Sequence, residues 1–269
     1  MSDYILSLSY GKDSLACLGA IEKLGLPLTR IVHAEVWATD TIPADLPPMV
    51  EFKKKADAII KERWGIEVEH VWATSVDGVK KDKVTYEDVF YHELTRGKHL
   101  GAIKGFPMTL GQWCQKLKLN AIQNICSDDD FQYLGIAADE PLRIAKHKDR
   151  KNIVMPLVIA GWHEQFCRNW CEENDLLSPI YTESTRGGCW FCHNQSIGQL
   201  RLLRKNYPEY WALLLKWDAD SPVTFRSDSH TVHDIEERFA LEDAGLISPN
   251  DKWLWGYLKD TPIQLRIDF

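Results

Sequence analysis

The chain has 269 residues, of which 45% are hydrophobic and 26% charged, and its formal net charge is −7. This balance is typical of a soluble globular protein with room for one large domain or for a domain and an appendage. The negative charge argues against a surface that binds nucleic acid as a whole, and no apolar run is long enough to span a membrane. Nothing at the N-terminus resembles a signal peptide, so we expect a cytoplasmic protein with reduced cysteines.

Strand-like and helix-like segments alternate through the first 175 residues. In chain order the sequence predicts a strand at 4–9, a helix at 13–24, a strand at 30–37, a helix at 48–65, a strand at 67–73, a helix at about 114–125, a strand at 132–137, a helix from about 139, an apolar segment at 153–159 and a helix at 162–175. We interpret 75–112 as an irregular insertion. This order predicts an α/β fold with a doubly wound parallel sheet, whose ligand site lies beyond the carboxyl ends of the strands.

The pattern changes from about residue 176. A loop rich in Gly, Cys and aromatic residues precedes helices near 195–217 and a C-terminal tail. We therefore predict a nucleotide-binding α/β domain over 1–195 and a helical appendage over 196–269. The stretch 200–217 mixes Arg and Lys with Tyr and Trp, which fits either a nucleic-acid surface with stacking aromatics or a helical pair that packs its Leu/Trp face on the sheet. Its Leu residues recur at helical spacing, which favours packing.

The segment S-Y-G-K-D-S at 9–14 joins the first strand to the first helix. Backbone N–H groups at the start of a helix favour an anion, and Gly11 permits a close approach. Lys12 adds a positive charge, and the hydroxyls of Ser9 and Ser14 can donate hydrogen bonds. The same residues also fit a capped helix start with a solvated Lys12. The P-loop and dinucleotide signatures are both absent.

This hexapeptide resembles the S-G-G-K-D-S loop of the adenine nucleotide alpha-hydrolase-like superfamily, in its PAPS reductase-like branch. Members bind ATP or an adenylated sulfate and cleave at the alpha phosphate. Tyr10 replaces the more usual Gly of that loop. The resemblance implies that the pyrophosphate of an adenine nucleotide is held by Ser9, Tyr10, Gly11, Lys12, Asp13 and Ser14.

Two further segments extend the resemblance to about residues 4–195. A-T-D at 38–40 matches a turn that lies close to the adenosine in relatives. G-I-A-A-D-E-P-L-R at 135–143 resembles the G-x-R-x-D-E-S-x-x-R segment that lines the nucleotide pocket. The further nucleotide-binding residues that these matches imply are Thr39, Asp40, Gly135, Asp139, Glu140 and Arg143. Taken alone, the second segment also fits a helix start, with Asp139 as cap and Pro141 in the first turn.

The cysteines form a second constellation. Cys189 and Cys192 stand at C-x-x-C spacing, which lets two thiolates bind one metal or cluster. In the reductases that the chain resembles, an earlier Cys-Cys pair followed by Lys completes a [4Fe-4S] site, and W-C-Q-K-L-K at 113–118 resembles that half with Trp113 in place of one Cys. The implied metal ligands are Cys114, Cys189 and Cys192, with Cys171, Cys167, His193 or an exogenous group as the fourth. A structural Zn²⁺ site and unliganded thiols remain open alternatives.

Two departures from the reductases bear on function. The chain has no Cys after 192, so it lacks their C-terminal nucleophile. Ala137 stands where relatives often have Arg, which argues against recognition of a sulfate or 3′-phosphate there. The resemblance then implies an ATP pyrophosphatase that adenylates an acceptor for sulfur transfer. Lys12 would neutralise the pyrophosphate together with Mg²⁺ held by Asp13 and Asp40, which makes Lys12 and Asp13 the candidate catalytic residues.

The acceptor stays open, with tRNA, DNA, a small metabolite or a protein all compatible, and a sulfur-donor protein is a further expected partner. Two other functions are also open. One is a reductase-like enzyme that handles PAPS or APS with an external thiol. The other is a nucleotide-binding module without turnover that serves a regulatory role.

Overall fold

The computed structural model describes residues 2–95, 100–107, 112–183 and 188–251. The chain divides into two compact units, Met1–Cys192 and His193–Phe269. The division falls close to the predicted boundary after residue 195. None of the helices in the described part of the chain is long and apolar enough to cross a membrane.

The first unit contains a five-stranded sheet and a separate two-stranded hairpin. The strands are β1 (Tyr4–Ser7), β2 (Arg30–Ala34), β3 (Val68–Val71), β4 (Ser75–Val76), β5 (Val79–Lys80), β6 (Phe131–Tyr133) and β7 (Ile153–Val154). All pairings in the five-stranded sheet are parallel, in the order β3-β2-β1-β6-β7, whereas β4 and β5 pair antiparallel. The predicted α/β architecture with a parallel sheet is confirmed, although the strands are shorter than predicted.

Helices connect the strands and make up the second unit. They are α1 (Lys12–Leu24), α2 (Pro47–Trp64), α3 (Tyr86–Phe90), α4 (Gln115–Gln123), α5 (Pro141–His147), α6 (Pro156–Ala160), α7 (Glu164–Glu173), α8 (Ile180–Glu183), α9 (Ile197–Asn206), α10 (Pro208–Asp220) and α11 (Val232–Asp243). The region 75–112, predicted to be irregular, holds the β4-β5 hairpin and α3. The predicted C-terminal tail holds α11.

Helix α1 lies at the centre of the first unit. Its residues from Ser14 to Ile21 are all buried, and it packs against α6 and α7. A Cβ at Gly19 would lie 2.4 Å from the ring of Trp170, so only glycine allows α1 to approach α7 this closely. Burial of each large aliphatic side chain contributes about 1.5–3 kcal/mol, which fixes α1 and the loop that precedes it.

The strand order changes direction between β1 and β6. Chain order runs outward through β2 and β3 on one side and through β6 and β7 on the other. Such a switch point leaves a crevice beyond the carboxyl ends of the two central strands, where ligands bind in open α/β sheets. The loop after β1 and the segment after β6 are therefore the two edges of the crevice.

The second unit is helical. Ser196 and Thr231 form capping boxes at the starts of α9 and α11. Arg201 and Arg204 of α9 form ion pairs with carboxylates of α11, namely those of Glu242, Glu236 and Asp243. The apolar residues of 200–217 are largely buried, including Leu200, Leu203, Trp211, Leu214 and Trp217. The stretch therefore forms a packed helical pair, with α10 against α9 and α11 and with two arginines paired with acids of α11, and its placement on the sheet stays a prediction.

Candidate functional site

The loop between β1 and α1 is held from within by two serines. Ser9 donates from its backbone N–H to Ser14 Oγ at 3.1 Å and from its own hydroxyl at 3.0 Å. The Ser14 hydroxyl donates to the carbonyl of Gly11 at 3.0 Å. The N–H groups of Gly11, Asp13 and Ser14 have no acceptor among the described residues. Unsatisfied N–H groups at a helix start are the donors that an anion uses.

Tyr10 adopts a φ of 55°, in the left-handed region that favours glycine. Its side chain is fully buried, donates from its hydroxyl to Asp57 and lies edge-on to His33 with ring centroids 4.7 Å apart. Burial and the Asp57 carboxylate raise the pKa of Tyr10, so the phenol stays protonated. Packing of the ring offsets the backbone strain, which explains how Tyr is accommodated where the resembling loops have Gly.

The Lys12 side chain is tied to two carboxylates. Its ammonium lies 3.0 Å from both oxygens of Asp13 and 3.0 Å from Glu164 at the start of α7. Burial alone would lower the pKa of Lys12, but the hydrogen bonds and attraction of Asp13 and Glu164 outweigh it and raise the pKa. Burial raises the pKa of Asp13 against the opposing effect of Lys12, with further increases from Glu164 and Glu140. An incoming phosphate must compete with these acids for Lys12.

The segment 135–143 lies directly against the start of α1. A Cβ at Gly135 would lie 2.7 Å from Ser14 Cα and 2.8 Å from the Asp13 carbonyl, so the position requires glycine. The predicted cap role of Asp139 is wrong, since Glu140 is the N-cap of α5 and Asp139 accepts the Glu164 N–H at 3.1 Å. The exposed Arg143 binds both Glu140 oxygens, at 2.7 and 2.8 Å. The structure thus brings this segment together with Lys12 and Asp13.

Thr39 and Asp40 occupy a different environment. The Thr39 hydroxyl accepts the N–H of Ile42 within its own turn, at 3.1 Å. The Asp40 side chain is 70% exposed and lies 3.4 Å from Lys81 Nζ, while its carbonyl accepts from Lys83 at 2.9 Å. The carboxylates that influence Asp13 are instead Glu140 and Glu164.

A cavity of about 250 Å³ opens beside the loop. Its walls combine the phosphate-cradle candidates Ser9, Tyr10 and Gly11 with residues from five other parts of the first unit. Those residues include His33, Asp45, Lys118, Tyr181 and Cys189. Tyr181 also accepts the Lys12 backbone N–H at 3.1 Å, so α8 fixes the loop from the cavity side. The candidate cradle and a candidate metal ligand therefore face one space.

Cys114, Cys189 and Cys192 lie around a shared aromatic wall. Burial is the largest cause of the raised pKa of the fully buried Tyr86, and the three nearby thiols raise this pKa further. The Tyr86 ring is 4.8 Å from that of Trp113 and 4.3 Å from that of Phe191. Trp113 thus packs in the wall at the position where the resembling reductases have another cysteine.

The thiols of this set affect one another electrostatically. Burial raises the pKa of Cys189 to about 12 and that of Cys114 to about 11, Cys192 adds to both increases, and Lys118 opposes them. Such thiols need a cation to ionise. Thiolates on one zinc ion lie about 3.8 Å apart. Among the described residues, only His33, Glu35 and Asp45 form a three-ligand group within 4.8 Å, so the three thiols are spread more widely.

Cys171 lies elsewhere. Its thiol donates to the Lys12 carbonyl at 3.2 Å, beneath the loop. Burial raises the pKa of both Cys171 and Cys167 to about 12, and Cys167 is the next largest cause for Cys171. Cys167 likewise adds to the raised pKa of the fully buried Cys17, after burial itself. The structure places Cys171 with these two thiols of α1 and α7. His193, the other candidate fourth ligand, belongs to the second unit.

A charged network under the cavity was missed by the sequence reasoning. His33 is buried, with Nδ1 2.7 Å from the Leu8 carbonyl. Its Nε2 lies 2.7 Å from Lys53 Nζ, which also contacts Glu35 and Asp45. The signal available in the sequence was H-A-E at 33–35, two polar residues that a central strand carries beside its apolar ones.

Comparison with protein-family models found no match. Searches among curated proteins and among solved structures found none either. The fold and the cavity therefore define the class directly: an α/β protein with a five-stranded parallel sheet flanked by helices and a polar cavity beside the loop that follows β1.

Proposed function

We propose that the chain is an ATP-dependent enzyme of the PAPS reductase-like family that adenylates an acceptor in the course of sulfur transfer. The observation that carries this proposal is that Ser9 and Gly11 line the same cavity as Cys189. The loop offers a lysine and N–H groups that have no acceptor among the described residues, and the lining of the same cavity offers a thiol. A reducing cytoplasmic location suits the seven cysteines, which form no disulfide in the described part of the chain.

In this function the loop binds the phosphates and Lys12 neutralises charge on the departing pyrophosphate. Asp13 is the proposed Mg²⁺ ligand, and Glu140 is better placed than Asp40 to assist it, because its carboxylate acts on Asp13. Mg²⁺ would supply charge neutralisation at the phosphates. The acceptor attacks the alpha phosphorus, and pyrophosphate leaves.

Cys114, Cys189 and Cys192 are the proposed ligands of the metal site. They are proposed to hold a [4Fe-4S] cluster, in which each thiolate binds a different iron, with a single structural Zn²⁺ as the alternative. A cluster with an open iron would supply a place to hold sulfur. The chain's own contribution is to bury the thiols and to place Lys118 near them, where its charge favours the thiolate.

The decisive experiment measures pyrophosphate release from ATP by protein purified without oxygen, with tRNA, DNA and small-molecule acceptors. We expect release that Lys12→Ala abolishes and that Lys54→Ala, at an exposed position of α2, leaves intact. ATP binding without release for every acceptor would contradict the enzyme and favour the regulatory module. Release of sulfite from PAPS or APS with an external thiol would instead support the reductase-like alternative.

Metal and sulfide analysis of the same preparation tests the second half of the proposal. Iron with acid-labile sulfide, lost in Cys189→Ser, is the expected result. Zinc as the sole metal would overturn the cluster-based sulfur transfer while leaving nucleotide binding intact.

A further inference from the structure

The described residues contain a three-ligand group that the proposed function does not use. His33 Nε2, a Glu35 oxygen and an Asp45 oxygen all lie within 4.8 Å of one another, the arrangement expected of a metal site. The Lys53 ammonium lies among them, 2.7 Å from His33, 3.2 Å from Glu35 and 2.6 Å from Asp45. The Lys53 side chain is 7% exposed. The lysine is thus the cation of this group, which we call the Lys53 cluster.

The cluster fixes the protonation state of its histidine. His33 Nδ1 is 2.7 Å from the Leu8 carbonyl, which can only accept, so Nδ1 carries the proton and Nε2 accepts from Lys53. Burial and the neighbouring charge of Lys53 lower the pKa of His33 to about 3, in agreement with a neutral ring. Neutral His33, charged Lys53 and the two carboxylates therefore form one rigid arrangement.

The same cluster orients Asp45 at the cavity wall. Lys53 lies 2.6 Å from Asp45 Oδ2, whereas Oδ1 has no partner in the described part of the chain. Asp45 lines the cavity and its side chain is 23% exposed. A fixed carboxylate with an unused oxygen is an acceptor for hydroxyl groups and repels phosphate.

The position of Asp45 in the fold indicates which hydroxyl it meets. It follows β2, the strand next to β1, while the phosphate loop follows β1 itself. In the dinucleotide-binding version of such sheets, whose phosphates lie on the loop after the first strand, an acid that follows the second strand accepts from a ribose hydroxyl, and Asp45 is its counterpart by position. Ala34 and Val36 also line the cavity and add apolar surface to it.

We infer that Asp45 accepts a hydrogen bond from a ribose hydroxyl of the bound nucleotide and that Lys53 positions it, so that the site selects ribonucleotides with free ribose hydroxyls. This inference rests on the proposed function, since it assumes a nucleotide in the cavity. It names the substrate class: a ribonucleoside 5′-phosphate without a phosphate on its 2′- or 3′-oxygen. Asp45 would then determine specificity, and Lys53 would be a positioning residue.

The test compares dissociation constants, by calorimetry, of the full chain for ATP, 2′-deoxyATP and 3′-deoxyATP. A lost hydrogen bond to a charged group predicts that at least one deoxynucleotide binds about tenfold or more weakly. Asp45→Ala should bring the three constants within about threefold of one another, mainly by weakening ATP. Glu51→Gln, which removes an exposed carboxylate near Asp45 in sequence, should keep the discrimination. Equal binding of all three nucleotides by the unaltered protein overturns the inference.

A second pair of ligands tests whether the negative charge of Asp45 disfavours a phosphate on the ribose. Adenosine 3′,5′-bisphosphate should bind more weakly than AMP, and Asp45→Asn should narrow that difference. Tighter binding of the bisphosphate would overturn the inference and point to a phosphate subsite. Lys53→Met should lose the ribose discrimination that Lys54→Met retains, although Lys53 does not line the cavity. Failure of every nucleotide to bind would refute the proposed function itself, whereas binding without discrimination refutes only this inference.

Discussion

The ammonium of Lys12 lies 3.0 Å from a carboxylate oxygen of Glu164, 152 positions further along the chain. The pair joins the loop before α1 to the first residue of α7 and places an acid where a phosphate is expected. The Glu164 side chain is 54% exposed, so the pair can open without unfolding the core. Glu164 therefore competes with an incoming phosphate for the Lys12 ammonium.

Removing that acid should strengthen nucleotide binding. In Glu164→Gln the competing charge is lost while the shape is retained, and we expect ATP affinity to rise about two- to fivefold, a value typical of a partly exposed ion pair. Titration calorimetry at two salt concentrations measures the change. Glu172→Gln, on the same helix and paired with Arg168, is the control and should leave the affinity unchanged. Weaker binding in Glu164→Gln would instead make Glu164 a ligand for Mg²⁺ or nucleotide.

Gly135→Ala should lower the stability of the first unit, because it disturbs the close contact between the segment 135–143 and α1. The new Cβ would lie 2.7 Å from Ser14 Cα, and only a shift of backbone could relieve the contact. We expect the free energy of unfolding to fall by about 1–3 kcal/mol, as for other overpacked sites. Urea titration measures it.

Gly198→Ala, within α9, is the matched control for Gly135→Ala. Its Cβ would meet no atom closer than 3.8 Å, so the change should stabilise the helix by about 0.5–1 kcal/mol. Equal effects at the two glycines would contradict the close approach of 135–143 to α1.

The parallel sheet and its helices follow from features that the sequence carries locally. Apolar strands alternate with amphipathic segments, and a short polar loop precedes α1, so the fold class and the position of this loop after β1 could be predicted. The turn at Thr39 and Asp40 could not be placed, because the contacts of Asp40 with Lys81 and Lys83 depend on a hairpin 41 and 43 positions away. Similarly, the sequence could not separate Cys171 from the other candidate metal ligands, because only the packing of α7 against α1 places its thiol on the Lys12 carbonyl. The Lys53 cluster joins residues of β2, of the loop that follows it and of α2. No spacing within a short stretch of sequence indicates that these residues meet.

Replacement of Tyr10 should separate strain from packing. Tyr10→Gly removes the positive-φ strain but also the buried ring, so we expect a net loss of about 2–4 kcal/mol in the free energy of unfolding. Tyr10→Phe keeps the ring and removes only the hydroxyl that donates to Asp57, so the loss should be about 1–2 kcal/mol. Thermal and urea unfolding give both values. A more stable Tyr10→Gly variant would show that the strain dominates.

The stability of the first unit should decline on the alkaline side through His70. Hydrogen bonds to Asp57 and Glu35 raise the pKa of His70 from 6.5 to about 9. A raised histidine pKa stabilises the folded state fully below pH 6.5, and this contribution disappears as the pH rises through about 9. His70→Gln should therefore be less stable than the unaltered protein at pH 6 and approach it near pH 9.5. Urea midpoints across this range measure the difference, and a difference that stays constant over the whole range would contradict the prediction.

The cysteines should divide into two groups when each is changed to serine. Cys189 lines the cavity and shares the neighbour Tyr86 with Cys114 and Cys192, whereas Cys171 donates to the Lys12 carbonyl at 3.2 Å. We expect Cys189→Ser to lose most of the bound metal and Cys171→Ser to retain it, because serine can still donate to that carbonyl. Metal content per chain after anaerobic purification is the measurement, with circular dichroism to show that both variants fold. Loss of metal in a folded Cys171→Ser would make Cys171 a ligand and would require α7 to move away from α1, since its present contact lies beneath the loop. Retention of the metal in Cys189→Ser would show that Cys189 is not a ligand. The metal site would then lie away from the cavity, and the proposed nucleotide site would have no sulfur site beside it.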